Sequence, residues 1–288
     1  MKSTPQGLVG SGVLDAMIKM KDVTKISILS RRPVAMAEAA RDPRINVIIH
    51  KDFTKYDSEV LEKLKGARGC VWACKHHLCF CCLFSTGLSS DRDLCALSIR
   101  DKGSLILNMI VGCSQTQVSK DEYLKITKDY AEAASKAFEH LSPEQEKAPF
   151  NFVYVSGNGA TTEPTRFSAL FARTKGAAEL ALASIRAQNP LMHTISVRPA
   201  MVDAHGHDAI KDFIPKPPFV YRLAGPLISF PIRHGLPSFN SPTLELGRFL
   251  TEMAMGKHSV TSPAPDIAMI GEFPIYENTA FRRIVGLS

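Results

Sequence analysis

Residues 7–32 read GLVGSGVLDAMIKMKDVTKISILSRR, and this stretch decides the fold class. Gly7, Gly10 and Gly12 come just before apolar residues at helical spacing, which predicts a glycine-rich loop that opens a helix. The β-branched and apolar residues of Val23–Leu29 predict a strand after that helix. Such a loop can bind phosphate, because bare backbone N–H groups and the positive end of the helix dipole both attract anions.

Strands and helices alternate along the rest of the chain. Four further apolar runs predict strands that are buried on both faces: Ile45–Ile49, Gly69–Ala73, Phe150–Val155 and Thr194–Val202. Ser119 and Glu122 form a capping box ahead of one of the helices between them. This alternation predicts an α/β protein with a Rossmann-like, doubly wound parallel sheet.

Beyond about residue 205 the pattern becomes irregular, because six prolines lie between positions 215 and 237. We expect residues 1–204 to form the dinucleotide-binding domain and residues 205–288 to form a small substrate-side region packed on it. One alternative is a surface loop that binds no ligand. Another is an apolar hairpin at Phe213–Phe239 that makes peripheral contact with a membrane surface.

Composition and charge exclude several classes of protein. The chain has 288 residues with 45% apolar and 22% charged residues, as in ordinary globular proteins, and no apolar run approaches 20 residues. The net charge of +7 is scattered rather than gathered in a basic stripe, so we expect no nucleic-acid partner. Residues 1–12 lack the apolar region of a secretory signal, which predicts a cytoplasmic protein.

The end of the first predicted strand bears on the choice of cofactor. Arg31 and Arg32 stand where an acidic residue would bind the ribose 2′-hydroxyl of NAD. Arginine instead suits a 2′-phosphate, which favours NADP, with NAD as the alternative. Both arginines could also merely solvate the strand end. Asp52 and Phe53 end the next strand, where an adenine ring would lie in such a fold.

Six strings carry a resemblance to a known family: GLVGSGVLDAM, SILSRRPV, KDF, VYVSGNGA, FARTKG and SVRPAMV. Outside residues 74–113 the chain resembles an atypical short-chain dehydrogenase/reductase. The nearest group is fungal and nucleoside-diphosphate-sugar epimerase-like, close to the Tat-interacting oxidoreductases. The resemblance implies an NAD(P)-dependent oxidoreductase that acts on a small carbonyl or sugar-like substrate, whose identity is left open.

The N-terminus departs from that pattern. The resemblance implies an apolar strand that leads into TGATG, whereas this chain begins MKSTPQG. Thr4 stands at the position of the first glycine, and Pro5 removes a backbone donor. We therefore expect the first, central strand of the sheet to be largely missing, with Gly7 and Gly10 still at the cofactor phosphates.

The resemblance also implies a Tyr-x-x-x-Lys motif on a helix and a serine at the preceding strand end. Here Ser156 and Lys175 match, and they are the predicted catalytic residues, with Lys175 also on the nicotinamide ribose. Arg198 is predicted near the nicotinamide side. Phe171 replaces the tyrosine, and a phenyl ring has no proton to exchange. Possible substitutes by position are Asn158, Thr161, Thr162 and His205. The alternative is a non-catalytic, dinucleotide-binding regulatory protein.

Six of the seven cysteines lie between positions 74 and 113. With His76 and His77 they suggest a metal site, but only one Cys-x-x-Cys occurs where structural zinc sites usually have two. A disulfide framework, the second interpretation, does not suit a chain without a secretory signal. The third interpretation is that residues 75–111 are a non-native insert, a translated intron. The codons for Cys74-Lys75 can contain a splice donor, and the codons for Ile110-Val111 can contain a splice acceptor. Joining the coding sequence across these two sites can restore a leucine codon before Gly112. We therefore predict no resident metal.

Overall fold

A computed structural model describes residues 7–73, 95–97, 106–110, 119–141, 149–214, 232–233 and 235–287. Its helices are α1 Leu8–Lys19, α2 Ala35–Ala40, α3 Ser58–Leu64, α4 Lys120–Leu124, α5 Tyr130–Phe138, α6 Leu170–Gln188, α7 Thr243–Ala254 and α8 Asn278–Ile284. A π-helical turn at Lys125–Asp129 joins α4 to α5. The strands are β1 Ile26–Ser30, β2 Ile45–Ile49, β3 Gly69–Ala73, β4 Cys95–Leu97, β5 Ile106–Ile110, β6 Phe150–Val155, β7 Met192–Arg198, β8 Met201–Asp203, β9 Asn240–Pro242, β10 Ile267–Ile270 and β11 Phe273–Glu277.

The main sheet has the order β10-β11-β7-β6-β3-β5-β1-β2. Its pairs are parallel, except that β10 runs antiparallel to β11 and β4 runs antiparallel to β5. The predicted α/β fold with a mainly parallel sheet is thereby confirmed. The capping box is also present, because the Glu122 amide donates to Ser119 Oγ at 3.2 Å.

The predicted strand Thr194–Val202 is interrupted in the structure. It divides into β7 and β8, and β8 pairs with β9 in a separate two-stranded sheet. Pro199 lies at the break and has no N–H for a ladder. The next amide, of Ala200, donates to Ser241 Oγ at 2.9 Å, so the backbone turns towards β9 instead.

The central position of the sheet, between β1 and β3, is occupied by β5. Ile106 is in register with Ile26 on one side and with Gly69 on the other, and both pairings are parallel. The residues before Gly7 lie outside the described residues, so the expected loss of an N-terminal strand stays a prediction. The translated-intron hypothesis also stays a prediction, but the structure gives part of that segment a place in the middle of the sheet.

Side chains alternate between the two faces of the sheet and form two cores. Trp72, Phe152 and Tyr154 belong to the core under α3 to α6, whereas Val71 and Val153 belong to the core under α1, α7 and α8. This alternation of fully buried residues is what a sheet covered by helices on both faces requires.

Helices α1 and α7 approach each other closely through glycine. A Cβ atom on Gly12 would lie 2.6 Å from the Thr243 carbonyl oxygen, and one on Gly247 would lie 2.2 Å from the Gly12 carbonyl oxygen. Gly12 is therefore needed for helix packing, a role outside the predicted phosphate loop.

Residues beyond 205 are joined to the rest of the chain at several points. β9 pairs with β8, β11 pairs with β7, and Arg233 forms an ion pair with Asp203. The proposed division at residue 204 stays a prediction. Residues 215–231 lie outside the described residues, as does most of the hairpin considered for membrane contact. Among the helices that the structure describes, none is long and apolar enough to cross a bilayer, and the cytoplasmic location stays a prediction.

Candidate active site at the end of strand β6

Ser156 follows the last residue of β6 and is buried, with 4% of its surface exposed. Its backbone amide donates to the Val197 carbonyl at 2.8 Å, which fixes the residue between β6 and β7. Its Oγ is buried and has no hydrogen-bond partner. Because buried polar groups are normally paired, an unpaired hydroxyl at a strand end is available to a ligand.

Lys175 reaches the same strand end from α6. The side chain is fully buried, and its Nζ donates to the Val155 carbonyl at 2.7 Å. The same Nζ lies 4.6 Å from the centroid of the Tyr154 ring. The structure therefore brings Ser156 and Lys175 together, as the sequence predicts, although no observation tests their catalytic role.

Phe171 lies one helical turn before Lys175 and is almost fully buried. A Cβ atom on Gly157 would lie 2.9 Å from Phe171 Cζ, so the ring covers the backbone that follows Ser156. The position that the family pattern gives to a phenolic hydroxyl thus holds a hydrocarbon edge, which can pack against a ligand but cannot exchange a proton with it.

The loop after Ser156 is fastened to the neighbouring elements by its backbone. The Asn158 amide donates to the Pro199 carbonyl at 2.8 Å, and the Thr161 amide donates to the Ala172 carbonyl at 3.1 Å. Gly176 permits this approach, because a Cβ atom there would lie 1.7 Å from the Thr161 carbonyl oxygen. Asn158 is exposed and Thr161 half-buried, and their role as substitutes for the tyrosine stays a prediction.

The other predicted ligand-binding end is the N-terminus of α1. Gly7 is the N-cap residue, and no side chain caps the first turn. Gly7 and Gly10 are both buried, and the Ser11 Oγ in the same segment is buried without a hydrogen-bond partner. A helix N-terminus without a side-chain cap, with glycine backbone and an unpaired serine hydroxyl, fits a dinucleotide phosphate. The phosphate can accept hydrogen bonds from the backbone N–H groups and from the hydroxyl.

The predicted adenine and 2′-phosphate residues have distinct surroundings. Arg31 and Arg32 follow β1 in a turn in which Ser30 Oγ donates to the Arg32 carbonyl at 2.6 Å. Asp52 is exposed and accepts from the Thr54 amide and hydroxyl, which lowers its pKa. Phe53 is fully buried in an aromatic cluster, 6.4 Å from the Trp72 ring, so its ring serves the core. Cofactor contact by all four stays a prediction.

Arg198, predicted at the nicotinamide side, lies in a buried ion-pair network. Its guanidinium donates to Glu179 Oε2 at 2.6 Å and to Glu277 Oε1 at 2.7 Å. Burial alone would lower its pKa, but the two carboxylates outweigh burial and raise it. Ser196 Oγ also donates to the fully buried Glu179, which links α6 to β7. The network gives Arg198 a structural role, and its contact with a cofactor stays a prediction.

Sequence reasoning missed a second buried network. His207 Nε2 lies 2.8 Å from Asp15 Oδ2, and His207 Nδ1 lies 2.9 Å from Thr243 Oγ1. The three residues connect α1 with the segment after β8 and with the start of α7. They are separated by up to 228 positions in the chain, and no local spacing or motif in one sequence signals such a set.

The cysteine-rich segment contributes no described metal site. Five of its six cysteines, His76 and His77 lie outside the described residues, and only the backbone is described for Cys95. Within the part of the chain that the structure covers, no group of three or more histidine, cysteine or carboxylate side chains could hold a metal ion.

Two curated relatives are similar in sequence. The chain is 39% identical over 155 residues to Botcinic acid biosynthesis cluster B protein 16 of Botryotinia fuckeliana, which covers 54% of this chain and 98% of the relative. It is 28% identical over 287 residues to Leucinostatins biosynthesis cluster protein T of Purpureocillium lilacinum, which covers 94% of this chain and 88% of that protein. No protein-family model matches the chain.

Solved structures are similar in fold. The PhqB reductase domain from Penicillium fellutanum matches with a TM-score of 0.52 at 13% identity, over 88% of this chain and 62% of that domain. The dTDP-glucose 4,6-dehydratase DesIV from Streptomyces venezuelae, solved with bound NAD, matches with a TM-score of 0.51 at 12% identity, over 98% of this chain and 77% of that enzyme. At such low identity these matches show the fold alone.

The mainly parallel sheet with helices on both faces defines a Rossmann-like α/β protein, in which Ser156 and Lys175 lie at the same strand end. The chain belongs to the same family as Botcinic acid biosynthesis cluster B protein 16, and it shares its fold with the solved reductase and dehydratase structures.

Proposed function

We propose that the protein is an NADP-binding oxidoreductase that acts on a small carbonyl or sugar-like intermediate of fungal secondary metabolism. The observation that carries the proposal is the buried, unpartnered Ser156 Oγ at the strand end where the Lys175 ammonium binds the Val155 carbonyl. The biosynthesis-cluster relatives support the metabolic setting, and the NAD-bound structural neighbour supports the cofactor class.

The proposed roles follow from the chemistry of each group. Gly7, Gly10 and Ser11 would bind the phosphates, and Lys175 would bind the nicotinamide ribose through its ammonium. NADPH, when bound, would supply a hydride. Ser156 would donate a hydrogen bond to the substrate oxygen and so stabilise the negative charge that develops there. Phe171 cannot supply the proton for that oxygen, so the proton would come from water or from one of the predicted substitutes for the tyrosine.

Titration of the purified protein with NADPH and NADH, followed by oxidation assays over a panel of carbonyl compounds, tests the proposal. We expect NADPH to bind more tightly than NADH. Replacing Arg31 and Arg32 by alanine should weaken NADPH binding by about tenfold and NADH binding much less, because a charge-assisted hydrogen bond contributes about 1.5–3 kcal/mol. Equal losses for both cofactors would remove the argument for NADP.

Phe171 favours a second candidate function, a dinucleotide-binding regulator without turnover. Its ring covers Gly157 where a proton donor would be needed. NADPH binding without oxidation of any carbonyl in the panel would support this regulator. The variant Phe171→Tyr should raise turnover by 10²-fold or more if Ser156 and Lys175 form the active site, because a positioned general acid contributes roughly that much. Unchanged turnover in this variant would count against the site.

A further inference from the structure

Two groups of strand β6 contact the Lys175 ammonium. Its Nζ donates to the Val155 carbonyl at 2.7 Å and lies 4.6 Å from the centroid of the Tyr154 ring. The face of an aromatic ring is negatively polarised and stabilises a cation that has lost much of its water. Lys175 is fully buried, so this second contact matters.

The Tyr154 ring is itself fixed at its far end. The phenolic oxygen donates to the Thr127 carbonyl at 3.1 Å, and both groups are buried. Thr127 lies in the π-helical turn between α4 and α5. Carbonyls in such a turn are displaced from the regular i→i−4 pattern, and such turns occur frequently at functional sites. The ring is thus held between a helix on one side and the lysine on the other.

We propose that Tyr154 is a positioning residue that holds the Lys175 ammonium at the cofactor-binding edge of β6. The inference rests on the proposed NADP-binding function and adds to it a residue that the family motif does not contain. In that motif the lysine lies one turn after a tyrosine hydroxyl. Here that position is Phe171, and the aromatic partner of the lysine lies on the strand below it.

Three substitutions separate positioning from core packing. Tyr154→Phe keeps the ring over Lys175 and removes only the hydrogen bond to Thr127. Tyr154→Leu removes the ring. Phe152→Leu is the matched control, because Phe152 lies two residues earlier on the same strand, is equally buried and belongs to the same core. If Tyr154→Leu does not fold, Tyr154→Met replaces it, since a flexible methionine refills an irregular core gap.

The first measurement is the NADPH dissociation constant of each purified variant. We expect about a fivefold increase for Tyr154→Leu, in the range of a cation–π contact, and less than twofold for Tyr154→Phe and Phe152→Leu. Rescue by phenylalanine is the decisive result, because both Tyr154→Phe and Phe152→Leu lose stability without losing the ring over the ammonium. Equal weakening in Phe152→Leu and Tyr154→Leu, or no weakening in either, would overturn the proposal.

The second measurement needs no cofactor. A double-mutant cycle of Tyr154→Leu and Lys175→Met, followed by denaturant unfolding, should show a coupling of about fivefold in the unfolding equilibrium constant. If the cycle showed no coupling, Tyr154 would not stabilise the Lys175 ammonium, and the proposal would be wrong. If the wild-type protein binds neither NADPH nor NADH, the proposed function fails, and this cycle still decides whether Tyr154 stabilises the Lys175 ammonium.

Discussion

The two halves of the sheet on either side of β3 are built in different ways. In the half with β6, β7 and α6, the candidate catalytic residues come from one continuous stretch of the chain. Hydrogen bonds from side chains to the backbone stabilise this stretch, as between Lys175 Nζ and the Val155 carbonyl. In the half with β1, β2 and α1, the strand beside β3 is β5, which comes from residues 106–110, far along the chain from α1.

The difference shows what each half requires from its sequence. The β6 half needs particular side chains, because a buried ammonium and a buried carboxylate must each meet a partner. The central strand position needs a parallel backbone ladder on both sides and an apolar run that can lie between two covered faces. Ile106–Ile110, with the sequence ILNMI, meets that general requirement although it lies in the cysteine-rich segment.

The largest expected effect comes from removing residues 75–111. β1 and β3 would lose the ladder partner between them, which should cost more than the 5–15 kcal/mol that keeps a typical domain folded. We expect the deletion to abolish cooperative unfolding, measured by circular dichroism during denaturation. Ala96→Pro in β4, which among the residues that the structure describes pairs only with β5, is the control and should leave the protein folded. A stable deletion variant would support the translated-intron hypothesis, because another segment would then have to supply the central strand.

The next largest effect tests the buried network of the β6 half. Glu179→Ala leaves Arg198 and Ser196 without their shared acceptor, so we expect the free energy of unfolding to fall by about 3–5 kcal/mol. The control is Arg283→Ala, which removes an exposed ion pair with Asp266 and should leave the free energy of unfolding nearly unchanged. If urea denaturation gave the same loss of unfolding free energy for both variants, the buried Glu179 network would contribute no more to stability than the exposed ion pair.

A smaller effect is expected at the loop that follows Ser156. Gly176→Ala brings a methyl group to 1.7 Å from the Thr161 carbonyl oxygen, so the loop must move, at about 2 kcal/mol. Gly159→Ala is the comparison within the same loop, because Gly159 has φ +86 but no atom within 4 Å of a Cβ. It should cost about 1 kcal/mol through backbone strain alone. A larger fall in Tm for Gly159→Ala than for Gly176→Ala would contradict the close packing of this loop against helix α6.

The smallest effect concerns pH. Burial tends to raise the pKa of Asp203, but the hydrogen bonds from Arg233 outweigh burial and hold it below its ordinary value. This stabilisation is therefore present above the unfolded-state pKa of about 4 and is lost as the pH falls through the folded-state pKa. We expect Asp203→Asn to cost about 1 kcal/mol at pH 7 and less near pH 3. A Tm difference from wild type that does not change with pH would refute this.

Much of the β6 half could be predicted from sequence. The strand Phe150–Val155 matches its predicted bounds, and the position of Lys175 beside the end of that strand, next to Ser156 in sequence, follows from a short motif read along one strand and one helix. Such features depend on residues close together in the chain, where periodicity and spacing are informative.

Long-range features escaped prediction for a physical reason. The ion pair of Arg198 with Glu277 joins residues 79 positions apart, and the Asp15–His207 contact spans 192 positions. Each partner alone is an ordinary polar residue with no special spacing. The place of β5 escaped for a similar reason, because an apolar run indicates a strand but does not indicate which neighbours it will pair with.

The π-helical turn has a consequence for the phase of its helix. Successive residues of an α-helix are rotated by about 100°, so one residue more or fewer at Lys125–Asp129 would turn α4 by that angle relative to α5. Tyr123 on α4 and Phe138 on α5 now face the same core. Shortening the turn by one residue would give a more regular helix that points Tyr123 away from that core. The irregular turn therefore sets the angular register of two helices, and the acceptor of the Tyr154 hydroxyl depends on that register.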